Sequence, residues 1–145
     1  MKLKTSPLVR VALAVIERRG RYLVGRRTAA SHLGGLWEFP GGKRRSGETW
    51  RACLEREVRE ELDVTVDIVE RIASFRFRYP DRSVELVAFR CVLEAGRPKP
   101  LACDELRWVT ARQLASLPFP PANRRLIEGL AKPLSSGRTG VRDLP

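Results

Sequence analysis

Hydrophobic positions along the chain follow two periodicities. Trp50, Leu54, Val58 and Leu62 recur every fourth residue, which lays one apolar stripe along a helix. Thr49, just before them, is a fitting helix N-cap. On either side the pattern is strand-like. Residues 9–17 are largely apolar and partly alternating, Arg18-Arg19-Gly20-Arg21 reads as a turn, and Tyr22-Leu23-Val24-Gly25 starts a second strand. Residues 28–35 form a loop, and a short strand over 36–39 ends at Pro40-Gly41-Gly42. Residues 43–48 are a polar connection into the helix. Beyond the helix, 64–79 and 83–93 read as strands joined at Pro80-Asp81-Arg82. Residues 94–104 are a proline-containing loop, 106–109 a further strand, and 111–117 and 122–130 two short helices. The last stretch, 132–145, has Pro, Ser and Gly without an apolar period, and is expected to be a disordered basic tail. Strands outnumber helices and one long helix interrupts them. That pattern predicts a mixed sheet packed by helices, in one domain over residues 1–131.

Length and composition narrow the picture. The 145 residues suffice for one domain with a core and are too few for two. At 43% hydrophobic and 31% charged, the chain reads as folded and soluble, not disordered. No apolar run approaches the ~20 residues of a membrane span, so no membrane partner is expected. Met1-Lys2-Leu3-Lys4-Thr5-Ser6-Pro7 lacks the apolar core of a secretory signal. Cys53, Cys91 and Cys103 are odd in number and fit no zinc spacing. Cys53 and Cys91 are expected as buried free thiols, for which a reducing cytoplasm is the natural setting.

Formal net charge is +11, although six acidic residues (Glu48, Glu55, Glu57, Glu60, Glu61 and Asp63) crowd into 48–63. The rest of the chain is therefore more basic still. Such a field attracts nucleotides, RNA or anionic surfaces without choosing among them. No interleaving of basic and aromatic residues resembles an RNA-binding module, so nucleic acid is not the expected partner.

The acidic stretch carries the candidate chemistry. At about 100° per residue, Glu57, Glu60 and Glu61 fall within roughly 100° of arc. Like charges so spaced repel by a few tenths of a kcal/mol per pair, and Glu61 borders the apolar stripe, where desolvation adds to the cost. The ordinary reading is a solvated acidic face. The alternative is a divalent cation that turns repulsion into coordination, and hard oxygen ligands suit magnesium or manganese. Arg56, one helical turn before Glu60, is placed to orient carboxylates.

The whole stretch, GKRRSGETWRACLEREVREELDV from Gly42 to Val64, resembles the signature of the Nudix hydrolases. That signature runs Gly, five residues, Glu, seven residues, Arg-Glu, an aliphatic residue, any residue, Glu-Glu, any residue, Gly, aliphatic. Every fixed position matches except the last glycine, which is Asp63 here. The resemblance covers roughly residues 7–131 and implies an α/β fold, an α/β/α sandwich with a mixed sheet packed between helices. By position it implies that Glu57, Glu60, Glu61 and the Gly41 carbonyl hold Mg²⁺ or Mn²⁺, and that Glu48 and Arg56 support them in catalysis. Family members differ in which glutamate activates water; Asp104 and Glu105, before Trp108, are the nearest candidates outside the helix. Glycine at position 63 would allow a left-handed backbone to end the helix. Asp63 should adopt it too, at a cost of about 1 kcal/mol.

A second resemblance addresses the substrate. Trp37-Glu38-Phe39-Pro40-Gly41-Gly42 and Phe119-Pro120-Pro121-Ala122-Asn123 are similar to MutT-type 8-oxo-dGTP diphosphatases. The resemblance implies that Asn123 reads the oxidised guanine edge, to which an amide offers donor and acceptor together. The alternative is that Asn123 caps the last helix. Phe39 and Asp81 fall near the same nucleoside pocket, though Phe39 serves equally as core. Arg27 follows a strand and is either a phosphate grip or an ordinary exposed arginine. His32 reads as a surface residue, and Trp37 and Trp108 as core. The expected activity is Mg²⁺-dependent hydrolysis of a nucleoside triphosphate, releasing the monophosphate and pyrophosphate and clearing 8-oxo-dGTP from the nucleotide pool. Rival readings are an RNA 5′-pyrophosphohydrolase, an ADP-ribose or dinucleoside polyphosphate hydrolase, and a non-catalytic nucleotide-binding module. The intact acidic cluster argues against the last.

Overall fold

The apolar run near the amino end forms strand β1 (Leu8–Arg18), and the sheet is built around it. The chain continues through β2 (Arg21–Arg26), β3 (Trp37–Glu38), β4 (Gly41–Lys43) and helix α1 (Trp50–Leu62), then β5 (Thr65–Tyr79), β6 (Arg82–Ala95) and β7 (Glu105–Val109). Helices α2 (Ala111–Ser116) and α3 (Pro121–Ala131) follow. The computed structural model describes residues 7–131, so the expectation for the tail at 132–145 lies outside the described residues.

The strands lie in the order β3-β2-β1-β6-β5, with β4 pairing β1 and β7 pairing β2. β1 and β6 run parallel from Leu8↔Ser83 to Ile16↔Cys91, whereas β5 and β6 form an antiparallel hairpin. The expected mixed sheet is therefore present. Side chains along β1 alternate between two cores. Ala12, Ala14 and Ile16 pack with Leu54, Val58 and Leu62 of α1. Leu13 and Val15 pack with Leu114 of α2 and with Leu126 and Ile127 of α3. A strand buried on both faces needs apolar residues at every position, which is why this run showed only partial alternation. The result is the expected α/β/α sandwich.

Helix α1 is fixed at both ends. The Ala52 N–H donates to Thr49 Oγ1 at 3.0 Å. Asp63 ends the helix at φ 59°, ψ 43°, the left-handed conformation expected of it, and its N–H donates to the Arg59 carbonyl. Lys99 reaches the Asp63 carboxylate at 2.9 Å.

β4 was not anticipated. Lys43 belongs to it, not to the polar connection, and Val11, Ala12 and Leu13 pair with Lys43, Gly42 and Gly41. β2 takes over the same edge of β1 only at Glu17 and Arg18. The edge is thus shared by two diverging strands, bridged where the Ala14 N–H donates to the Pro40 carbonyl at 2.8 Å. The divergence opens a cleft at Gly41. Here glycine is obligatory: Gly41 has φ 146°, and a Cβ would collide with the Ala12 carbonyl oxygen.

Candidate active site

Arg56 organises the acidic cluster. Its Nε and Nη2 donate to the two oxygens of Glu48 at 2.6 and 2.9 Å. Its Nη1 donates to Glu57 at 2.9 Å and to Glu60 at 3.2 Å, and Nη2 also reaches the Lys43 carbonyl at 3.0 Å. One planar guanidinium thus aligns three carboxylates and ties α1 to β4, a task its fixed fork suits better than a lysine ammonium. These bonds from Arg56, with a further one from the Arg45 N–H, hold the Glu48 carboxyl down to about 2.

Glu61 is held differently. It accepts from the Gly41 N–H at 3.1 Å, and burial pushes its carboxyl up to about 8; the Gly41 bond opposes that shift, and the nearby charges of Glu57 and Glu38 add to it. Gly42 completes the arrangement, because a Cβ there would collide with the Glu57 carboxylate. The helix face and the glycine strand therefore pack so closely that the acids occupy the space a side chain would fill.

Beside this cluster lies a cleft of ≈ 360 Å³, lined on one side by Gly41, Glu61, Arg27 and Glu38 and elsewhere by Phe39, Tyr79, Arg82 and Asn123. Phe39 is 2% exposed and its ring lies 5.5 Å from that of Phe119; it is both core and cleft wall. Asn123 is 7% exposed. It sits inside the first turn of α3, its N–H donating to the Pro120 carbonyl at 3.0 Å, so the expected alternative of a helix cap is not what forms. Arg27 lines the cleft while bonded to Glu38 at 2.8 Å and to the His32 carbonyl. Asp81 is not brought in: it sits at the β5–β6 turn with its side chain 77% exposed, near Arg82. Asp104 is exposed and Glu105 is paired with Arg26 and Arg107; neither lines the cleft. Trp37 is buried and Trp108 packs on the α1 side. Cys53 and Cys91 are buried free thiols, as expected.

Sequence reading missed Lys43, Tyr79 and Arg82, all of which line the cleft. Tyr79 also accepts the Ala122 N–H at 3.3 Å, joining β5 to the start of α3. Lys43 follows two glycines, which carry no alternation to mark a strand. Tyr79 and Arg82 depend on where the β5–β6 hairpin turns.

In ligand chemistry the cluster fits a hard divalent cation: the carboxylates of Glu57, Glu60 and Glu61 lie along one helix, with Glu61 bonded to the Gly41 backbone. Among the described residues no three acidic, His or Cys side chains converge on one point. Glu57 and Glu60 turn to Arg56, while Glu61 turns to Gly41. The Glu60 side chain is 52% exposed, so its rotamer is not fixed by packing.

A family model described as the NUDIX domain matches residues 11–129. The CTP pyrophosphohydrolase of Escherichia coli is 34% identical over 121 residues, 83% of this chain and 90% of that protein. The 8-oxo-dGTP diphosphatase of Haemophilus influenzae is 31% identical over 124 residues, 85% of this chain and 91% of that protein. Among solved structures, the E. coli ORF135 protein has a TM-score of 0.75 at 32% identity, covering 88% of this chain and 91% of that one. The MutT NUDIX hydrolase of Burkholderia pseudomallei has a TM-score of 0.70 at 25% identity, covering 83% and 96%.

Proposed function

The chain belongs to the Nudix hydrolase family, and on that premise we propose that it is a Mg²⁺-dependent nucleoside triphosphate pyrophosphohydrolase acting on 8-oxo-dGTP. One observation carries the reading: a single cleft joins Glu61 and Gly41 to Phe39 and Asn123. Phosphate chemistry and base reading then act on one bound nucleotide. Glu57, Glu60, Glu61 and the Gly41 carbonyl would hold Mg²⁺, which supplies neutralisation of phosphate charge and a more acidic water. Arg56 keeps Glu48, Glu57 and Glu60 oriented. Lys43 and Arg82 take phosphate oxygens as charge-assisted donors, and Phe39 gives the base an apolar face. Water adds to a phosphorus atom of the triphosphate, a P–O bond of the anhydride breaks, and a carboxylate of the cluster accepts the proton. The products are the nucleoside monophosphate and pyrophosphate.

The relative named CTP pyrophosphohydrolase favours a second reading, CTP as substrate, because an amide also complements a cytosine edge. Turnover of 8-oxo-dGTP, dGTP and CTP side by side, with Mg²⁺ and with the metal chelated, tests both. The proposal expects metal-dependent release of pyrophosphate, with 8-oxo-dGTP preferred. Asn123→Ala should lower the ratio of kcat/KM for 8-oxo-dGTP over dGTP by roughly ten- to a hundredfold, since an unpaired polar group costs about 1–3 kcal/mol. A wild type that prefers CTP, or an unchanged ratio in the variant, rejects the oxidised-guanine assignment.

A further inference from the structure

The β1–β2 hairpin presents a surface that the hydrolytic cleft does not use. From Leu13 in the cleft wall to Arg18 is five strand residues, roughly 17 Å. Arg18, Arg19 and Arg21 of this hairpin, with Trp108 of β7, line a hollow of ≈ 450 Å³. The β2–β7 ladder, in which Leu23 pairs with Trp108, brings the indole to the arginines from a distant part of the sequence. That is why no basic and aromatic interleaving was visible along the chain.

Three features of this cluster bear on what it binds. Trp108 packs against the core on the α1 side, and the guanidinium of Arg18 lies 4.2 Å from its ring centroid. The indole therefore braces an otherwise exposed arginine, leaving a planar cation at the surface. Second, among the described residues none of the three arginines pairs with a carboxylate, so their charge is left for a ligand. Third, Arg19 occupies the left-handed region at φ 52°, a turn position that favours Asn, Asp or Gly over a long side chain. Local stability alone does not select Arg-Arg-Gly-Arg here.

We propose that this hairpin is a docking surface for single-stranded nucleic acid, with a base stacked on Arg18 and flanking phosphates bound by Arg19 and Arg21. The net charge of +11 draws in polyanions of every kind, but the braced guanidinium narrows the choice. Bases stack on arginine planes, a bare phosphate chain has no π-face to offer, and a duplex keeps its base faces covered. Nucleic acid bound here would hold the enzyme on the strand while the cleft remains free to turn over nucleotides.

The test is fluorescence anisotropy of a labelled single-stranded oligonucleotide, read against salt, with inorganic polyphosphate and duplex DNA as competitors. Two phosphate contacts on a single strand should give a slope of log K against log[salt] of about −1.4. Arg19→Ala/Arg21→Ala, which leaves the Arg18–Trp108 stack intact, should bring the slope close to zero and weaken binding at least tenfold. Arg18→Lys should weaken single-strand binding and leave polyphosphate binding unchanged, because it keeps the charge and loses the plane. Both variants should hydrolyse nucleotide at the wild-type rate. Unaltered binding in the double variant overturns the proposal, as does competition by polyphosphate or duplex as effective as that by single strands.

Discussion

At the scale of single residues, Arg56 and the three glutamates it bonds, with Glu61 beside them, make up the acidic cluster. Glu60→Gln keeps the size of the side chain and removes a charge the cation would need, so turnover should fall by orders of magnitude with the melting temperature unchanged. Steady-state rates at saturating Mg²⁺, beside a thermal melt, check this. Glu48 has a different signature. Its carboxyl is depressed from 4.5 to about 2 in the fold, so between those values the unfolded chain binds the proton more readily. Its contribution is complete above the unfolded value and lost as pH falls through the folded one. Glu48→Gln should therefore be less stable than wild type at neutral pH, and melting curves should show the gap closing between pH 4.5 and 2. Much of this cluster was legible in the sequence, because helical spacing alone puts Glu57, Glu60 and Glu61 on one arc. The left-handed turn at Asp63 was legible too, since the helix had to stop and Asp tolerates that backbone. The bond from Glu61 to Gly41 was not, because it joins positions 20 residues apart.

At the scale of elements, α3 shows where pattern reading stops. Its apolar spacing located it to within a residue, yet the role of Asn123 turned on where its first turn begins. Pro121 supplies that start, its fixed φ suiting the first helical position, and Asn123 falls inside the helix against the cleft. Tyr79 then fixes the approach of α3 to the sheet through the Ala122 N–H, one of the backbone donors a helix start leaves unpaired. Tyr79→Phe should cost about 0.5–1.5 kcal/mol of stability. Because Ala122 adjoins Asn123, it should also raise KM for the preferred nucleotide more than it lowers kcat. Kinetics across a substrate titration, with a denaturant melt, separate the two effects. β4 went unread for a related reason: two of its three residues are glycines, which carry no side chains from which to read alternation. Asp81 shows the converse case, where a sequence position near the pocket residues points outward at the hairpin tip.

At the scale of the whole molecule, the parallel pairing of β1 with β6 sets how the chain reaches its native state. Arg10 lies beside Glu85, 75 residues later, and β1 also supplies the edge for β2 and β4. During synthesis β1 emerges well before its long partner β6, with five elements between them. Until β6 exists, β1 can complete one edge only, and its other edge and the face that α2 and α3 later cover remain open to unintended partners. Closing so long a loop before any compensating contact forms makes refolding slow, in the millisecond-to-second range. A circular permutant that joins residue 131 to residue 7 and opens the chain in the 28–35 loop would place β1 after β6 with a shorter loop between them. Stopped-flow refolding should find it faster than the natural order, with less aggregation at high protein concentration. The ribosome, which must present β1 long before β6, is where this sandwich is most exposed to misfolding.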